Sequence, residues 1–290
     1  MPELPEVETI VKDLKKRVLE RTFVDVWTDF PKMIKKPANF EQFKKEIKRK
    51  KIEEIRRRGK NILIELSENK TLLIHQKLTG HLLMGKWQII NGKWQPEEKG
   101  PLEESVNRFI HLMFWLDSGE MLALSDLRKF AKVELWSSSE LEEAEDFKSL
   151  GPEPLERNFT FEKFKDTLKN KKGKIKQVLM EQAVIAGIGN IYSDEILWQA
   201  RIHPFKEISK LKERELKKIY RAIKEILPKA IELGGESISD FRRISGEPGY
   251  FDKERKVYRR EGEKCSRCGT IIKRVKIAGR SAHFCPRCQK

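Results

Sequence analysis

Residues 1–8, Met1-Pro2-Glu3-Leu4-Pro5-Glu6-Val7-Glu8, crowd two prolines and three carboxylates ahead of a helical pattern. Val7, Ile10, Val11, Leu14 and Val18 recur at three- and four-residue spacing, which gathers them on one face of a helix. Pro5 suits that helix's first turn, where the N–H it lacks has no partner to lose. Glu6 and Glu8 fall near the positive end of the helix dipole. Taken alone, the octet reads as a well-capped helix start. Pro2 adds a second reading. Methionine ahead of a small residue is usually trimmed, which would leave a proline secondary amine at the chain end. Such an amine can attack an aldehyde-like carbon and form an iminium.

The chain has 290 residues, enough for two domains and a sizeable core. Lys and Arg number 61 against 45 Asp and Glu, a net charge of +16. A basic excess of this size points to a polyanionic partner, nucleic acid before membrane surface. It is uneven: residues 251–290 hold thirteen Lys/Arg and four Asp/Glu. Charged residues make up 37% of the chain, against about 25% on average, a composition that fits growth at high temperature. No apolar run approaches the ~18–20 residues that span a bilayer, and the acidic, proline-rich start is unlike a signal peptide. The expectation is a soluble cytoplasmic monomer.

After the first helix, Phe23–Trp27 alternates like a strand and residues 40–51 read as a short lysine-rich helix. Ile52–Arg56 and Ile62–Leu66 read as strands around a turn at Gly59, with Lys60 at its tip. Further strands are predicted at 72–74, 82–84, 109–116, 121–124 and 133–136, an antiparallel sandwich or barrel. Residues 137–155 read as a linker. From Phe161 the period becomes helical, and it stops at Gly234-Gly235. Ala186-Gly187-Ile188-Gly189-Asn190 opens one of these helices. Asn190 suits an N-cap, with Asp194 and Glu195 in the first turn. A glycine-rich helix start is also where backbone N–H groups meet a phosphate.

Cys265-Ser266-Arg267-Cys268 and Cys285-Pro286-Arg287-Cys288 use all four cysteines. Two such pairs suit one tetrahedral Zn2+. Four thiolates leave no open position for water, so the zinc is structural. It would fix Lys273, Arg274, Lys276 and Arg280 on a hairpin too small to bury a core.

Pro2 through Thr9 resembles the opening of the bacterial formamidopyrimidine-DNA glycosylases, which excise 8-oxoguanine and ring-opened purines. The likeness runs the length of the chain. Lys174–Pro204 resembles that family's helix–two-turns–helix, which implies phosphate binding by Asn190 beside an extruded nucleotide. Arg57-Arg58-Gly59-Lys60 is similar to a hairpin whose lysine, here Lys60, contacts phosphate and lesion. Asp126-Leu127-Arg128-Lys129-Phe130 resembles the void-filling loop. There Arg128 would hydrogen-bond the widowed cytosine and Phe130 would wedge beside it. The third wedge is usually a methionine in a His-Leu-x-Met-x-Gly run. His75-Gln76-Lys77-Leu78-Thr79-Gly80 puts Leu78 in its place, with His75 among the DNA contacts. Gly246–Phe251 with Val257-Tyr258 resembles a lesion-covering loop, and Ala278-Gly279-Arg280 carries the phosphate-gripping arginine.

The resemblance implies an α+β fold. An antiparallel β-sandwich flanked by helices forms a catalytic domain at 1–136, followed by the linker at 137–155. A helix–two-turns–helix DNA-binding domain occupies 156–245, and a lesion loop with a zinc-finger hairpin occupies 246–290. The implied activity is a bifunctional glycosylase and abasic-site lyase of base excision repair, acting on damaged double-stranded DNA. Pro2 would be the nucleophile, Glu3 the general acid and Glu6 a supporting carboxylate, and β,δ-elimination would follow. Two other readings stay open: the endonuclease VIII type acting on oxidised pyrimidines, and a zinc-ribbon protein that only binds nucleic acid. Leu4, where that sibling branch usually has glycine, and the 126–130 loop favour the purine branch. The N-terminal octet has no place in a mere binding module.

Overall fold

A computed structural model describes residues 1–237 and 240–290. The chain divides into two compact units: Met1–Lys148 with Leu233–Asp252, and Ser149–Glu232 with Lys253–Lys290. Residues 233–252, split in sequence between helical domain and lesion loop, thus cluster with the N-terminal unit.

The first unit opens with α1 (Leu4–Arg17), β1 (Phe23–Thr28), β2 (Ile34–Lys36) and α2 (Phe40–Ile47). Strands β3 (Ile52–Arg58), β4 (Asn61–Leu66), β5 (Lys70–His75) and β6 (His81–Gly85) follow. Next come β7 (Trp87–Ile90), β8 (Lys93–Pro96), β9 (Ile110–Leu116), β10 (Met121–Ser125) and β11 (Lys132–Ser137). Two short helices, α3 (Ser138–Glu143) and α4 (Glu145–Lys148), complete it. A four-stranded sheet ordered β1-β9-β10-β6 and a five-stranded sheet ordered β2-β11-β5-β4-β3 form the sandwich. The pairing is antiparallel except between β11 and β2.

Alternation along the strands sorts the side chains. Leu112, Phe114, Leu122 and Leu124 from one sheet join Ile62, Ile64, Leu72 and Ile74 from the other in one core, with Val7, Ile10 and Leu14 of α1. The intervening residues Leu83, Met113 and Ala123 face the opposite way and are covered by Trp87, Trp94 and their neighbours on the β7–β8 hairpin. Sequence periodicity does not reveal this hairpin. Within 137–155, read as a linker, α3 and α4 place Leu141 and Phe147 against Leu63 and Leu73.

The second unit contains α5 (Phe161–Leu168), α6 (Ile175–Leu179), α7 (Asn190–Ala200) and α8 (Glu213–Glu232), then β12 (Lys273–Ile277) and β13 (Arg280–Phe284). Nearly every residue of α7 is buried, the pattern of a helix packed on all sides. Helix α8 buries one stripe, Ile219, Ala222, Ile223, Leu227 and Ala230. The α+β class predicted from sequence is what the chain forms.

Candidate active site and nucleic-acid interface

Helix α1 begins where the octet predicts. Glu3 is its N-cap, and Glu6 folds back to accept the Glu3 N–H at 2.7 Å. The other oxygen of Glu6 accepts the Glu236 N–H at 2.9 Å. Pro2, Glu3 and Glu6 are all buried, Glu6 completely. One carboxylate therefore fixes the chain beside Pro2 and ties segment 233–252 to it. Gly235 permits this approach: at φ +82° a Cβ there would lie 3.0 Å from the Glu6 carboxylate. The β3–β4 turn is also fastened to α1. Arg57 donates to Glu8 Oε2 at 2.9 Å and to the carbonyl of Gly59 at 2.9 Å. Lys60, at the tip, is only 8% exposed, unlike an ordinary turn lysine.

His75 ends β5, and its Nδ1 accepts the Lys77 N–H at 3.0 Å. Burial, then the charges of Lys77, Lys60 and Lys132, push its pKa down to about 3. A neutral ring with an occupied Nδ1 keeps its proton on Nε2, free to donate. Beyond it, Leu78, Arg128 and Phe130 are exposed apolar or cationic tips in the same unit. The Arg128 guanidinium lies 4.8 Å over the Phe130 ring.

In the second unit the glycine turn is shaped by Gln182, a residue that no sequence motif singles out. Gln182 accepts the Gly187 N–H at 2.9 Å and donates to the Ile188 carbonyl at 2.8 Å. Gly189, not Asn190, occupies the N-cap of α7. Asn190 is the first helical residue, and its side-chain oxygen is buried with no hydrogen-bond partner among the described residues. Asp194 and Glu195 lie past the first turn and are buried, so neither merely complements the dipole. Glu195 accepts the N–H groups of Lys256, Val257 and Tyr258 at 2.8, 3.0 and 2.8 Å. Burial pushes its carboxyl upward while these three amides pull it down. Asp194 takes Lys176 Nζ at 2.5 Å on one oxygen, and both the N–H and Nδ1 of His283 at 2.9 Å on the other. Two adjacent carboxylates thus hold both the entry to the β12–β13 hairpin and its return strand against α7. Arg280 follows the tight Ala278-Gly279 turn, where φ is +46° and +76°, and is exposed.

The four cysteine sulfurs lie within 4.8 Å of one another, and those of Cys268 and Cys285 are 3.5 Å apart. A tetrahedral Zn2+ with ~2.3 Å bonds places its thiolates roughly 3.8 Å apart, so the set fits one structural ion. Trp198 Nε1 approaches Cys265 Sγ at 3.5 Å, a donor that steadies a thiolate ligand. Arg267 stacks on that indole at 3.8 Å and donates to the Trp198 carbonyl. No helix among the described residues is long and apolar enough to cross a membrane.

Three family models match the chain. The formamidopyrimidine-DNA glycosylase N-terminal domain covers residues 1–133, the H2TH domain of the same enzymes covers 150–242, and a zinc finger found in FPG and IleRS covers 262–290. The formamidopyrimidine-DNA glycosylase of Pelotomaculum thermopropionicum is 39% identical over all of this chain and 99% of its own. That of Lactococcus lactis subsp. lactis is 39% identical over the whole of both. Among solved structures, a Lactococcus lactis FPG point mutant in complex with a Fapy-dG containing DNA superposes with TM-score 0.87 at 38% identity, covering all of both chains. MutM in complex with carbocyclic 8-oxo-G containing DNA gives 0.86 at 38%, again over both complete chains. Matches of this identity across the full length establish descent as well as fold: the chain belongs to the formamidopyrimidine-DNA glycosylase family.

Proposed function

We propose that the protein removes oxidised purines from double-stranded DNA and then cuts the strand at the resulting abasic site, with Pro2 as nucleophile. The observation that carries this reading is the fixed start of α1. Glu6 binds the Glu3 N–H, so the residue next to Pro2 is held by a helix cap rather than left to fray. A duplex base is out of reach of an amine on a helix end, so the nucleotide is first flipped out. Leu78, Arg128 and Phe130 fill the gap, and His75 Nε2, Lys60, Asn190 and Arg280 grip phosphates.

Removal of Met1 frees the Pro2 nitrogen, whose lone pair attacks C1′ and displaces the damaged base. Glu3, buried beside it, delivers the proton that the departing base or the ring oxygen takes up. Breaking of the C1′–O4′ bond, with the proton going to the ring oxygen, leaves an iminium that acidifies the C2′–H, so loss of the C2′ proton expels the 3′ phosphate. A second elimination expels the 5′ phosphate. Glu6, with both oxygens on backbone amides, keeps the nucleophile in place without transferring a proton. The four-cysteine zinc supplies no chemistry; it holds Arg280 in position.

Borohydride reduction during cleavage of 8-oxoguanine opposite cytosine should leave a covalent protein–DNA adduct on Pro2, and a retained N-terminal tag should abolish it. Equal trapping by tagged protein, or an adduct on an internal lysine, would remove Pro2 from the mechanism. Faster cleavage of thymine glycol would favour the pyrimidine branch.

A further inference from the structure

The turn that carries Leu78 and the loop that carries Arg128 and Phe130 share one buried acceptor. Asp126 has no exposed surface. Its Oδ1 accepts from the Thr79 hydroxyl, and from the Arg128 N–H at 3.2 Å. Its Oδ2 accepts the Ala131 N–H at 2.7 Å. The Arg128 N–H is shared with Thr79 Oγ1 at 3.1 Å. A single carboxylate thus closes the 126–131 loop on itself and fastens it to residue 79. Gln76 gives the turn no such tie: it is 1% exposed, yet neither atom of its amide has a hydrogen-bond partner among the described residues.

The backbones are equally committed. The Gly80 N–H bonds the Gln76 carbonyl at 3.1 Å, and Lys77 sits at φ +55°. A Cβ on Gly80 would come within 2.5 Å of that carbonyl oxygen and 3.2 Å of Ala131 Cβ. Turn and loop are therefore packed in direct contact as well as bonded.

We propose that Asp126 is a positioning residue that acts through Thr79 to make Leu78, Arg128 and Phe130 one preorganised body entering the base stack together. This rests on the reading of those three side chains as duplex wedges. Ordering each rotamer-rich side chain at an interface costs about 0.5–1.5 kcal/mol, and a frame assembled beforehand avoids part of that.

Thr79→Val preserves the shape of the side chain and removes the bond to Asp126, and Thr79→Ser restores the hydroxyl. The two variants and the wild type are compared, under single-turnover conditions, on 8-oxoguanine in duplex and on an abasic site in single-stranded DNA, which has no stack to enter. Thr79→Val should slow duplex cleavage roughly tenfold, as lost preorganisation predicts. Single-strand cleavage should stay within about twofold, because no unstacking is needed there. Thr79→Ser should recover most of the duplex rate. Wild-type rates on both substrates, or a parallel fall on both that Thr79→Ser does not reverse, would overturn the positioning role. Wild-type protein that cleaves neither substrate would sink the proposed activity instead, and the positioning role with it.

Discussion

The start of α1 and the β12–β13 hairpin are held by opposite means. Leu4, Val7, Ile10 and Leu14 have no exposed surface, and most of them belong to the large sandwich core. Pro2 and Glu3, the residues proposed for chemistry, sit ahead of this apolar stripe, and Glu6 only ties the helix start to its surroundings. At the hairpin, Val257 and Ile272 meet Trp198 and the cysteines in one small cluster and Phe284 packs on His203 at 4.5 Å, while Lys273 to Lys276 are all exposed. The zinc ligands and the carboxylates of Asp194 and Glu195 fasten the hairpin. Where burial is abundant, apolar packing carries the fold and the polar groups add local ties. Where it is scarce, anchoring and function fall on the same few groups.

Metal removal breaks the comparison most sharply. Binding of structural zinc is folding free energy, of order 10–16 kcal/mol in isolated fingers. A strong chelator should therefore abolish hydrogen-exchange protection in residues 262–290. It should also weaken duplex binding by more than about 100-fold, since several phosphate contacts go at once. Protection in β4, β5 and β9 should be unchanged. Equal loss of protection in those strands would show that the sandwich leans on the metal too.

Two buried carboxylates extend the contrast to single residues. Glu195→Ala strands three backbone N–H groups, and Glu6→Ala strands two. At about 1–3 kcal/mol for each unsatisfied donor, Glu195→Ala should destabilise the second unit by at least ~3 kcal/mol. Glu6→Ala should destabilise the first by ~2 kcal/mol or more. Their activities should rank the other way. Folded Glu195→Ala protein keeps the proposed nucleophile, Pro2, and should lose mainly DNA affinity, whereas Glu6→Ala should lose kcat. Denaturant melts and single-turnover rates separate the two. A kcat defect in Glu195→Ala that matched the one in Glu6→Ala would erase the distinction.

What the sequence made legible divides along the same line. Helix α1, most of the sandwich strands and the cysteine cluster announce themselves through periodicity or spacing, which are local signals. The β7–β8 hairpin does not, because Trp87 and Trp94 each have a lysine before and a glutamine after them, and they are buried and half-buried by covering Met113 and Ala123 of other strands. Asp194 and Glu195 read as helix-start charges, since their partners lie 18 to 89 positions away in sequence. Gln182 and Thr79 carry no motif of their own. Each is defined by the backbone or carboxylate it meets, and such pairings exist only after folding.

The smallest expected effect concerns acid, and it belongs to the first unit. His75 titrates at about 3 when folded, chiefly through burial, and at about 6.5 when unfolded. Between those values the unfolded chain carries a proton that the folded one refuses, so stability falls as pH drops below about 6.5 and levels off near 3. Above about 6.5 both states are neutral there, and the group contributes no slope. Relative to neutral pH the loss should reach about 1.4 kcal/mol by pH 5.5. His75→Gln removes the titrating ring and leaves His81 and His203 in place as shared background. Urea melts of both proteins at pH 7.5 and 5.5, read by exchange in β4 and β5, should show the wild type losing that much more than the variant. The hairpin peptides should show no difference between the two proteins. Parallel losses would mean that His75 is protonated in the folded state, and its Nδ1 could not then accept from Lys77.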